Sequence, residues 1–235
     1  MPLHVEQFRY GRDNLGYLVF GRSEAMAVDG GAWREILEFA DTRGLRLLYV
    51  THTHGHHDHI EGSDRLLETS RARLLGFQEL QEGSVIVLDG EPVRVYRTPG
   101  HSVDSVCFHA GRYLLSGDTL FTGTIGNCFS GNLRAFYESV RRLMALPGET
   151  VIFPGHDYME PAVAFARFLE PANGDLDAYL DRYEPDCVRS LLRDERKVNP
   201  YLRFNDPAII AILKERGLPV DSEWERWQSL MAIEE

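Results

Sequence analysis

The chain has 235 residues, 43% of them hydrophobic, and sets 25 basic against 36 acidic side chains for a formal net charge of −11. That length and apolar fraction supply one full core of ordinary domain size plus a smaller appendage. The acidic balance speaks against binding nucleic acid or an anionic membrane through bulk charge, and no apolar run approaches the roughly 20 residues that span a bilayer.

In chain order, β-rich runs dominate the first part. Ala25 to Val28 reads as a strand ending at Asp29, and Trp33, Ile36, Leu37 and Ala40 then fall on one helical face. The apolar run Leu45 to Val50 follows. Val85 to Leu88, Asp89-Gly90 and Val93 to Arg97 read as a hairpin. Leu133, Phe136, Tyr137, Val140 and Met144 mark a second helix that Asn132 can cap. Such aromatic stripes are core faces rather than cofactor contacts. From about Pro161 helical signals replace strand signals, punctuated by Pro171, Asn173-Gly174 and Pro185, and Arg193 to Lys197 reads as a solvated charged face. The expected architecture is α/β: a two-sheet sandwich flanked by helices over residues 1–160, then a helical subdomain over 161–235 that covers part of a cleft.

The chemistry concentrates in Thr53-His54-Gly55-His56-His57-Asp58-His59, four histidines and a carboxylate within seven residues. Imidazole and carboxylate hold zinc or iron at neutral pH, so a metal is the first hypothesis. Three later segments answer this one: a short β-rich run, then Gly or Pro, then a single ligand type, at His101, Asp118 and His156. Ends of strands in one sheet can converge on one edge, where loops on a rigid scaffold carry chemistry. In extended backbone His54 and His56 point the same way, whereas Asp58 and His59 follow after a turn. His101 completes the first group, His156 the second, and Asp118 can bridge both. Each ion keeps an open position, the mark of a catalytic rather than a structural site, and two ions about 3.5 to 4 Å apart form a hydrolytic arrangement. His4, His52 and His109 read as ordinary strand or surface residues, and His57 as exposed or as a wall of the cleft.

These residues, in this order, resemble the signature of the metallo-β-lactamase superfamily, with Asp29 similar to its first motif. Within it the chain looks most like glyoxalase II, the hydroxyacylglutathione hydrolases, on Asp13-Asn14, Gly117-Asp118-Thr119-Leu120-Phe121, Gly155-His156-Asp157-Tyr158, Phe165 to Pro171 and Asn199 to Arg203. The resemblance implies the αββα sandwich of that superfamily and two divalent ions, zinc first, with iron or manganese accepted by the same ligands. His54, His56, Asp58, His59, His101, Asp118 and His156 would be the ligands. A hydroxide bridging the metals would attack a thioester such as S-D-lactoylglutathione, with Asp58 orienting it; a departing thiolate of pKa near 8.5 needs no dedicated general acid. Tyr158, Asn127, Phe129 and Lys214 would contact the substrate. Gly126-Asn127-Cys128-Phe129 departs from the family, which carries a lysine and an aromatic residue there, and Lys214 with Arg216 matches its C-terminal basic pair only loosely. Another acyl-thiol therefore stays open beside the glutathione conjugate.

Cys107, Cys128 and Cys187 are scattered and show no CxxC spacing, which fits a reducing cytoplasm; Cys128 falls in the expected substrate loop. Residues 1–6 show no export signal. Three alternatives remain: an iron-dependent persulfide dioxygenase using His54, His101 and Asp118, a diiron oxygen reductase module, and a non-catalytic metal-binding scaffold.

Overall fold

The computed structural model describes residues 2–233. Its elements in order are β1 (His4–Tyr10), β2 (Asn14–Phe20), β3 (Glu24–Val28), α1 (Trp33–Thr42), β4 (Arg46–Thr51), α2 (His57–Ile60), α3 (Ser63–Thr69), β5 (Arg73–Leu74), β6 (Val85–Leu88), β7 (Glu91–Arg97), β8 (Val106–Ala110) and β9 (Tyr113–Gly117). Then come α4 (Leu133–Met144), β10 (Val151–Pro154), α5 (Met159–Leu169), α6 (Asp175–Leu180), β11 (Ser190–Leu191), α7 (Leu192–Val198), a 3-10 turn at Pro200–Leu202, α8 (Pro207–Glu215) and α9 (Glu223–Met231).

The strands form two sheets, ordered β1-β2-β3-β4-β5 and β11-β10-β9-β8-β7-β6. Parallel neighbours need a crossover long enough to return to the same edge. The β3–β4 pair is linked through α1 and the β9–β10 pair through α4, which leaves each helix on the outer face of its own sheet. A helix–sheet–sheet–helix layering results, as the sequence leads one to expect.

Side chains alternate along each strand, and the alternation sorts the core. Leu15, Tyr17 and Val19 of β2 meet Val93, Val95, Phe108 and Phe153 between the sheets. Leu18 and Phe20 of the same strand turn to α1 and α3, where Ile36, Ala40 and Leu66 cover them. All seven residues of β2 are buried for that reason. Asn132 caps α4 through its side chain, which accepts from the Ala135 amide at 3.0 Å.

The C-terminal part is helical, with one two-residue strand: β11 pairs antiparallel with β10, setting Val151 against Leu191 and Ile152 against Ser190. Helices α8 and α9 share a cluster with α4, in which Leu213, Trp227 and Leu230 pack with Phe136, Tyr137 and Val140. The charged run of α7 departs from expectation. Glu195 is fully buried and Asp194 nearly so, because Glu195 accepts from the Tyr179 hydroxyl, the Gly123 amide at 2.9 Å and the Asn199 side chain at 3.1 Å. A run of charges in sequence does not reveal that one carboxylate has enough donors to replace its water.

Trp227 joins the C-terminal helices to the sandwich. Its ring is completely buried, edge-on to Phe136 at 5.8 Å and tilted against Tyr137 at 5.5 Å. Trp227→Ala should destabilise the fold by about 3–5 kcal/mol, the range for large aromatic truncations in a core. Chemical denaturation would read this as a lower midpoint with an unchanged slope; a shift below about 1 kcal/mol would contradict the packing role.

Candidate metal centre

Four chain segments meet at the C-terminal ends of strands. β4 leads into His54 and His56, β7 into His101, β9 into Asp118 and β10 into His156, while α2 carries Asp58 and His59. Three triads bring their donor atoms within 4.8 Å of one another: His54–His56–His101, His54–His59–Asp118 and Asp58–His59–His156. All seven side chains singled out in the sequence as candidate ligands are thus in one place.

Close packing at this point requires residues without side chains. Any side chain at Gly155 would overlap Asp118 Oδ1 and the His59 ring, and Gly117, at φ +49°, lies against Thr53. The glycines before Asp118 and His156 are therefore steric requirements of the cluster.

Hydrogen bonding fixes the tautomers, since a carboxylate or carbonyl oxygen only accepts. His59 donates through Nδ1 to Asp29 at 3.0 Å, His156 through Nδ1 to Asp13 at 2.9 Å, and His101 through Nδ1 to the Asn127 carbonyl at 3.0 Å. Thr53 Oγ1 donates to Asp29 at 2.7 Å and lies 3.1 Å from His54 Nδ1, so it accepts there. Each of these rings turns its Nε2 edge inward. The inward nitrogens crowd: His59 Nε2 and His156 Nε2 are 3.1 Å apart, and His56 Nδ1 lies 2.9 Å from His54 Nε2 and 3.1 Å from His101 Nε2. A single proton on His56 could bridge only one of its two neighbours.

Asp118 sits among these nitrogens. Its Oδ2 is 3.3 Å from His101, 3.4 Å from His156 and 3.8 Å from His54; its Oδ1 is 3.5 Å from His59, buried, and without a hydrogen-bond partner. An orphaned buried carboxylate oxygen facing imidazole nitrogens is what a cation site requires. The residues fit divalent metal ions.

The electrostatics agree. Burial pushes His54 down, with help from His59, to about 4, and burial also holds His101 below its ordinary value. Both rings are neutral at pH 7 and available as ligands. Burial would lower His59 as well, but Asp29 and Asp118 outweigh it and push the ring up to about 11. Burial alone would raise Asp118; the neighbouring His156 and His59 rings hold it well below the carboxylate range. The same field that retains a proton on His59 favours any cation placed between these groups.

Asp58 is the most open of the set, with 46% of its side chain accessible. Its Oδ2 lies 3.4 Å from His156 Nε2 and accepts from Asn14 Nδ2 at 2.9 Å. Tyr158 stacks on the His156 ring at 5.1 Å. Burial and the nearby Asp13 push its phenol up to about 12, so it stays protonated at neutral pH. Phe129 is 67% exposed, edge-on to His101 at 5.2 Å and to His56 at 5.9 Å. Asn127 meets the centre through its backbone. Lys214 is exposed near the end of α8 and lines neither the centre nor the cavity beside Tyr158.

The sequence resemblance assigns a supporting role to Asp29 but none to three other residues that orient this cluster. Asp13 and Asn14, at the β1–β2 turn, hold His156 and Asp58, and Tyr10 donates to the Asp58 carbonyl at 2.8 Å. Of the remaining histidines, His57 is exposed, while His52, read as a strand or surface residue, is buried with Nε2 at 2.6 Å from Ser63 Oγ.

Comparisons with known proteins bear on this geometry. The metallo-beta-lactamase superfamily model matches residues 72–156, and the hydroxyacylglutathione hydrolase C-terminus model matches 157–233. A hydroxyacylglutathione hydrolase of Chromohalobacter salexigens is 32% identical over 212 residues, covering 83% of each chain. The chain belongs to the hydroxyacylglutathione hydrolase family. Another member, from Gloeobacter violaceus, is 36% identical over 200 residues, covering 77% of this chain and 79% of that one. Among solved structures, ETHE1 from Myxococcus xanthus superposes with a TM-score of 0.67 at 23% identity, covering 97% of this chain and all of that one. TTHA1623 in a di-iron-bound form superposes at 0.62 with 24% identity, covering 84% and 100%. Both share the metallo-β-lactamase fold. As a member of this family, the protein is a metal-dependent hydrolase.

Asp118→Ala is expected to lower metal content in both groups, whereas His156→Ala should lower it in one. Elemental analysis decides; wild-type content in Asp118→Ala would contradict the bridge. Asp29→Ala, which removes only the support behind His59 and Thr53, should weaken metal affinity about 10- to 100-fold.

Proposed function

We propose that the protein hydrolyses acyl-thiols, with S-D-lactoylglutathione the first substrate to test, at a centre of two divalent ions, zinc foremost. The first ion would be held by His54, His56 and His101, the second by Asp58, His59 and His156, with Asp118 shared. The observation that carries this reading is the presence of two triads around one orphaned carboxylate. An iron dioxygenase using His54, His101 and Asp118 alone would give no work to Asp58, His59 and His156.

Bound divalent ions would supply Lewis acidity toward the carbonyl and lower the pKa of water to about 7. The chain's own residues do the rest. Asp58, held by Asn14, is a half-exposed acceptor at the rim and can orient the attacking water's remaining proton. Burial would raise its pKa, but Asn14 and His59 hold it low, so it is ionised at neutral pH. Asp29 and Asp13 keep His59 and His156 in the tautomer that faces inward.

Beside His156, across Tyr158, lies a cavity of about 340 Å³ lined by Thr124, Tyr158, Pro161, Phe165 and Tyr201 among others. Much of that lining comes from 161–235, which supports the proposed role of this segment in covering the substrate. Tyr158 would donate its hydroxyl proton to the substrate, and Phe129 would pack on it from the opposite side. The names of the family members support glutathione as the thiol carrier. The three cysteines are unpaired, which supports a reducing compartment such as the cytoplasm.

Metal-loaded protein should consume S-D-lactoylglutathione, seen as loss of thioester absorbance, and chelation should abolish the activity until metal is restored. A rate no faster than buffer would end the proposal. Tyr158→Ala should raise KM about tenfold, the scale of one lost hydrogen bond to the substrate, with a smaller effect on kcat.

A further inference from the structure

A second cavity, of about 540 Å³, lies at the other end of the strands that carry Asp118 and His156. Tyr113, Val151 and Leu191 form one row across β9, β10 and β11 and line it. Since β9 and β10 are parallel, this row marks their starts, while Asp118 and His156 follow their ends. Five residues of strand separate Tyr113 from Asp118, on the order of 16 Å.

The lining is strongly cationic in a chain of net charge −11. Arg112, Arg182, Arg189 and Arg193 contribute four guanidinium groups against the single carboxylate of Asp194. Two of them are loosely held: Arg182 is 3.5 Å from Asp194, and Arg189 is 3.5 Å from Glu184. Arg193 pairs with Glu149, and the Arg112 side chain has no hydrogen bond or ion pair among the described residues, although its carbonyl accepts from the Val151 amide at 2.8 Å. The guanidinium fork matches phosphate oxygens in geometry and remains charged at any physiological pH. Tyr113, Val151 and Leu191 add apolar surface suited to the body of a small molecule, and the volume falls in the range of ligand pockets.

We propose that this arginine-lined cavity binds the phosphate group of a small phosphorylated molecule, of mononucleotide size, at a place separate from the metal centre. Surface arginines paired only for solubility would have no reason to share one concave lining. None of the residues that line the cavity belongs to the metal centre or to the cavity beside Tyr158, so an occupant need not displace the acyl-thiol.

The probes are inorganic phosphate and AMP, titrated calorimetrically into the metal-loaded protein. One equivalent should bind, more weakly as salt rises. Arg112→Gln with Arg189→Gln should weaken binding about tenfold or more, as expected for losing charge-assisted hydrogen bonds, and leave thioester hydrolysis unchanged. Both arginines are exposed, so the fold should tolerate the change. Phosphate can also bind at metals, so the titration is repeated on His101→Ala/His156→Ala, where binding should persist. AMP binding more tightly than phosphate points to a phosphate ester; equal affinity points to free phosphate. No heat from either probe at millimolar concentration, unchanged affinity in the arginine variant, or loss of binding in the metal-site variant would each overturn the proposal.

Discussion

Positive charge between the inward-facing imidazoles and Asp118 is the constraint on which the centre depends. Four rings have one nitrogen committed to an outer oxygen, so their Nε2 edges converge in a buried space with carboxylates around it. Without a metal ion, such an arrangement crowds ring nitrogens together and desolvates ionised groups. Folding can tolerate it because the outer oxygens are themselves anchored: Asp29, at φ +53° after β3, also accepts from the amide and hydroxyl of Thr53. One buried carboxylate thereby aligns His54 and His59 at once.

The scaffold serves that alignment. Two parallel pairs, each with its crossover helix, send the ends of β4, β9 and β10 toward one edge, and glycines there let Asp118, His59 and Thr53 approach backbone closely. The α5–α9 region packs on the same sandwich through Trp227 and through β11. It contributes Phe165 and Tyr201 to the cavity beside Tyr158, so the stability of the C-terminal helices and the shape of that cavity are linked.

The ligand-bearing segments were legible in the sequence because each repeats a local rule: a β-rich run, a Gly or Pro that stops it, then His or Asp. The two-sheet architecture and the Asn132 cap of α4 were legible from period and polarity. Other features were not. His57–Ile60 is a single helical turn of mostly polar residues, too short to show an apolar period. Val106–Ala110 is buried on almost every residue, which hides the alternation of a strand. Asp13 and Asn14 lie far from the histidines in sequence, and a polar turn between strands has many ordinary explanations. Glu195 was misread for the opposite reason: Arg193, Arg196 and Lys197 around it are solvated, and only the folded chain supplies the donors that bury it.

The turn carrying Asp13 and Asn14 gives the centre an order of assembly. His54, His56 and His101 are close in the chain, with His56 and His101 separated by 45 positions, whereas the Asp13–His156 contact spans 143. During synthesis from the N-terminus, the three-histidine group exists before His156 has been added. The longer closure also carries the larger entropic cost. A nascent chain can therefore present the three-histidine group to cellular metal while His156 is still to be translated, and the N-terminal hairpin must wait for the tenth strand before it clasps that last residue.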